Sequence, residues 1–76
     1  MTENKPVAVR HVLSTHLLRA TARRAADHYR KVQYRAFTHG DMEAQTACRD
    51  LGIQHRSEFK VERAGHQRAK WIVVVQ

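Results

Sequence analysis

Hydrophobic and polar positions along this 76-residue chain shift from a two-residue period to a helical one and back again. Val7, Val9, His11 and Leu13 alternate with Ala8, Arg10 and Val12, which suggests a short strand over residues 7–13, although Val12 and Leu13 equally suit the opening of a helix. From Ser14, a suitable N-cap, the spacing becomes 3.6. Leu18, Ala22, Ala25, Tyr29, Val32 and Ala36 fall on one stripe, predicting a helix that runs to about Phe37. Half of those stripe positions are alanine, so a neighbouring element must approach closely there.

Thr38-His39-Gly40-Asp41 is punctuation between two helices. Gly40 suits the left-handed conformation that ends a helix, Asp41 suits the N-cap of the next, and Glu43 in its first turn is favoured by the helix dipole. The second helix, about Met42 to Leu51, shows Ala44, Ala47, Cys48 and Leu51 on one face, and Gly52 stops it with Ile53 placed to fold back as in a Schellman cap. After a polar link, Phe59 and Val61 alternate with Glu58, Lys60 and Glu62. Ala69, Trp71, Val73 and Val75 then alternate with Lys70, Ile72 and Val74, and the 64–67 segment between the two runs reads as a turn.

The predicted fold is α+β: a helical hairpin packed on a C-terminal β-hairpin, possibly with an N-terminal third strand. The last strand, apolar on both sides near its end, suits the interior of a sheet better than its edge. Residues 1–6 are polar, end in the single proline and predict a flexible arm, which leaves 7–76 as one small domain.

Charge narrows the function. With 14 Lys and Arg against 7 Asp and Glu the formal charge is +7, and six histidines add to it in acid. Phosphate backbones, acidic protein surfaces or anionic lipids are the partners such a field attracts. Arg19, Arg23, Arg24, Arg30, Lys31 and Arg35 make a cationic rod of the first helix, opposed within it by Asp27 alone. A second basic site, Arg63, His66, Arg68 and Lys70, surrounds the hairpin turn and suits contact with a phosphate backbone, though charged hairpin tips also serve solubility. Trp71 and Phe59 suit either base stacking or, better, the alternating apolar core. Ile72 and Val74, opposite Trp71, Val73 and Val75, would form an apolar ledge for a protein partner if nothing covers them.

Catalytic chemistry finds little footing. The histidines lack the i, i+4 pairing of a zinc protease, there is no cysteine pair to join them, and neither a phosphate-binding glycine loop nor a nucleophile elbow is present. No cofactor is expected, and the chain reads as a non-enzyme. Cys48, the lone cysteine, sits on an apolar helix face as a buried thiol and is consistent with a cytoplasmic setting. No apolar run reaches the roughly 20 residues that span a bilayer, so no membrane partner is expected.

The segment Ala47-Cys48-Arg49-Asp50-Leu51-Gly52-Ile53 resembles the middle of a helix-turn-helix, which implies a recognition helix beginning after Ile53; a plain helix C-cap explains it equally well. In size, charge and build the whole chain resembles the small regulators with which phages act on host transcription. That resemblance implies a binding module engaging nucleic acid or RNA polymerase, the competing reading being a protein–protein inhibitor whose charge only steers association.

Overall fold

In a computed structural model of the chain, residues 11–64 and 70–76 are described. Five elements follow in the order β1 (His11–His16), α1 (Arg19–Thr38), α2 (Met42–Leu51), β2 (Phe59–Arg63) and β3 (Trp71–Val75). The fold is α+β, with the three strands in one antiparallel sheet of order β1-β3-β2. The apolar β3 is central, as its sequence suggests, and an N-terminal strand supplies the third member. The expected flexible arm over residues 1–6 and the opening of the predicted strand, residues 7–10, lie outside the described residues, as do residues 65–69 of the hairpin turn.

β1 occupies His11–His16 rather than ending at Leu13. Its register against β3 slips between Val12 and Ser14, so that His11 meets Val75 and Val12 meets Val74, but Ser14 meets Val73 and His16 meets Trp71. A bulge of this kind breaks the two-residue alternation and hides the strand's second half from a periodicity reading. Ser14 therefore does not cap α1. Its hydroxyl lies 2.8 Å from the His16 Nε2 inside the strand. The N-cap of α1 is Leu18, in extended conformation and with no side-chain cap bond.

α1 lies across one face of the sheet, touching all three strands, and α2 packs on α1. Its buried residues are Ala22, Ala26, Val32 and Ala36, with Ala25 and Tyr29 partly buried against the core. Leu18 is thus a correction to the predicted stripe: it is 65% exposed, and Ala26, at 1%, takes up the contact instead. The alanines do what their small volume requires. They let α1 approach α2, which contributes Ala44 and Cys48, and the sheet, which contributes Phe59, Val73 and Val75. Tyr29 stacks on Phe59 at 6.1 Å between ring centroids.

The hairpin between the helices forms as its residues dictate. Gly40 is left-handed at φ 68, and the Asp41 carboxylate accepts the Ala44 amide at 3.1 Å and pairs with the Arg35 guanidinium at 3.1 Å. The Ala44 amide first, and then Arg35, hold the Asp41 carboxyl below its usual 3.8. A carboxyl depressed in the folded state contributes stability that is full above the unfolded value and is lost as pH falls through the lower folded one. Asp41→Ala should accordingly lower the thermal midpoint at neutral pH. The gap to wild type should shrink as pH drops below about 3.8, and a gap independent of pH in that range would mean that the charge contributes nothing.

At the other end of α2, Gly52 is left-handed at φ 76 and the Ile53 amide donates to the Cys48 carbonyl at 2.8 Å, with Ile53 buried as a Schellman hydrophobe. No recognition helix follows. Residues 54–58 are turns and extended links into β2, which removes the helix-turn-helix alternative. That link is pinned from α1 by Gln33, whose side-chain amide donates to the Gln54 and Ser57 carbonyls at 2.9 Å each. Cys48 is buried and free, and burial pushes its thiol up, away from thiolate character.

Candidate nucleic-acid interface

At about 100° per residue, Arg19, Arg23 and Arg30 fall within an arc of about 40° on the flank of α1 that turns toward β2. There they line a groove of about 310 Å³ with Ala26, Asp27 and Val61. Arg24 and Lys31 lie about 100° further round, on the side away from the sheet. Arg35 turns toward α2 and is spent on Asp41. The rod expected from sequence is therefore three separate surfaces, and only the first meets a second element of structure.

Within the groove the arginines differ. Arg30 pairs with Asp27 at 2.9 Å and also donates to the Phe59 carbonyl at 3.3 Å. That carbonyl points away from β3, because the adjacent Glu58 and Gln76 exchange both backbone hydrogen bonds. Arg30 thereby covers the outer edge of β2. Among the described residues, Arg19, Arg23 and Arg63 have no ion pair. Arg63 lies directly across the ladder from Trp71, and its guanidinium carbon stands 5.9 Å from the Trp71 ring centroid. Arg19 reaches the same ring at 5.6 Å from the first turn of α1. Three sequence-distant elements thus place two guanidiniums on one indole.

Of the hairpin-tip group, Arg63 and Lys70 are exposed at the ends of β2 and β3, while His66 and Arg68 lie outside the described residues. Trp71 packs against the core but is half-buried at the end of the sheet, so it belongs to the core and to the surface at once. The apolar ledge is corrected: Val74 is 1% exposed and Ile72 is half-buried, so the two offer no open apolar face. Phe37 and Tyr34, exposed at 43% and 57% near the far end of α1, escape a reading based on the buried stripe. Phe37 falls in the same arc as Arg19, Arg23 and Arg30, with the His55 ring 5.5 Å away.

Among the described residues no group of three or more His, Cys, Asp or Glu is placed to hold a metal ion, and no helix is long and apolar enough to cross a membrane. No protein-family model, curated protein or solved structure matches the chain.

Proposed function

We propose that this protein is a non-enzymatic binding module that engages nucleic acid and regulates transcription in the cytoplasm, on DNA or RNA itself or on RNA polymerase where that enzyme holds nucleic acid. The convergence of Arg19, Arg23 and Arg63 on one side of the molecule, none of them in an ion pair among the described residues, carries the reading. Like charges held together without a partner repel one another, and an anion relieves that repulsion. Planar guanidiniums are also the groups best shaped to take phosphate oxygens in pairs. The transcriptional role rests on the resemblance in size, charge and build to small phage regulators. The competing inhibitor reading loses the open Ile72 and Val74 ledge on which it would dock.

Affinity for a short oligonucleotide, measured against salt concentration, tests the reading. Log affinity should fall linearly with log salt, with a slope of about −2 to −3 for three phosphate contacts. A flat salt dependence, or no measurable affinity near 50 mM salt, would rule the phosphate-binding role out.

A further inference from the structure

We infer that the α1 flank is a track for single-stranded nucleic acid, with Arg19, Arg23 and Arg30 on the backbone and the Trp71 and Phe37 rings as base-stacking platforms toward its two ends. The inference rests on the nucleic-acid reading above and specifies which form of the polymer this surface accepts.

Position along the helix supplies the first argument. Arg19 and Phe37 stand about 27 Å apart along α1 at about 1.5 Å per residue, with Arg23 and Arg30 between them in the same arc. That length suits about eight nucleotides if they keep a stacked rise of about 3.4 Å, and fewer if the strand is extended. The aromatic rings supply the second. A duplex turns its phosphates outward and keeps its bases closed in the stack, so rings set beside the arginines have nothing to meet on it. A single strand presents phosphates and open base faces together. Phe37 is 43% exposed, with only the His55 ring beside it among the described aromatic contacts.

Trp71 is covered on its outer side by side chains that can leave. Arg19 and Arg63 are both exposed, and at 5.6 and 5.9 Å from the ring they hold it in loose cation–π contacts. Such a contact shifts an equilibrium about two- to fivefold at an exposed site. A base stacked on an aromatic ring shifts it about 5- to 150-fold. Arriving phosphates draw the guanidiniums off the ring and a base takes their place, an exchange that favours the bound state at each step.

Trp71 is the only tryptophan in the chain, so intrinsic fluorescence reports on this site alone. Titration with an unstructured oligothymidylate of eight nucleotides should quench that fluorescence. The affinity should exceed that for a duplex of equal phosphate count by fivefold or more. Because Trp71 also packs against the core, the variant of choice is Phe37→Ala, which leaves the buried residues untouched. It should weaken oligothymidylate binding about fivefold or more while duplex affinity stays unchanged. Equal affinity for both forms, without quenching and without an effect of Phe37→Ala, would overturn the single-strand track and leave phosphate binding standing. Absence of binding to either form would instead remove the nucleic-acid reading itself.

Discussion

Phe59→Ala is expected to remove about 3 to 5 kcal/mol of folding stability, enough to leave a domain of this size largely unfolded near room temperature. Phe59 is 6% exposed and is the only aromatic residue among the buried core positions, most of which are alanine and valine. Its ring stacks on Tyr29, its carbonyl accepts Arg30, and its strand forms one edge of the sheet. With Ala22, Ala26 and Ala36 opposite, no long side chain is at hand to fill the space that truncation leaves. Urea denaturation followed by circular dichroism measures the effect, and a loss below about 1 kcal/mol would mean that the sheet and α1 close over the gap.

The triple variant Arg19→Gln, Arg23→Gln, Arg63→Gln should keep the fold, since all three side chains are exposed and make no ion pair among the described residues. It should weaken nucleic-acid binding by about two orders of magnitude or more near 100 mM salt and flatten the salt slope by about 2 to 3. Arg24→Gln with Lys31→Gln, on the far side of α1, is the matched control. If it weakens binding as much as the triple variant, the field of the whole molecule dominates and the groove has no special standing. Arg30 is left out because it also braces the edge of β2, where a change would mix binding with stability.

The periodic parts of the fold are legible in the sequence for physical reasons. The bounds of α2 follow from an Asp cap and a glycine stop, and the position of β3 follows from the apolar character of both its faces. β1 is harder to place because its bulge and its Ser14-Thr15-His16 half carry no alternation of apolar residues. On α1 the adjacent Ala25 and Ala26 both suit an inward position. Only the crossing angle of the helix over the sheet decides that Ala26 is buried and Leu18 is not. The candidate site was legible in its charges alone. Arg19, Arg63 and Trp71 come together through the pairing of β2 with β3 and the seat of α1 above it, and no local pattern encodes that meeting. The burial of Val74 is likewise a tertiary fact, since alternation assigns it to a face without saying what covers that face.

The central place of β3 has a consequence for how the chain fails. Its five residues, Trp-Ile-Val-Val-Val, carry no charge and no proline, the composition of segments that stack into cross-β fibrils. In the native sheet both of its edges are occupied. One neighbour, β2, carries Lys60, Glu62 and Arg63, and the other, β1, is half polar and bulged. β1 reaches β3 only after both helices and β2 have been laid down between them in sequence, so its pairing is the least local contact of the fold. Detachment of β1 turns β3 into a bare apolar edge ready to template a second molecule. Aggregation should therefore begin from a state with β1 lifted and the rest of the domain intact, at denaturant concentrations below the global unfolding midpoint.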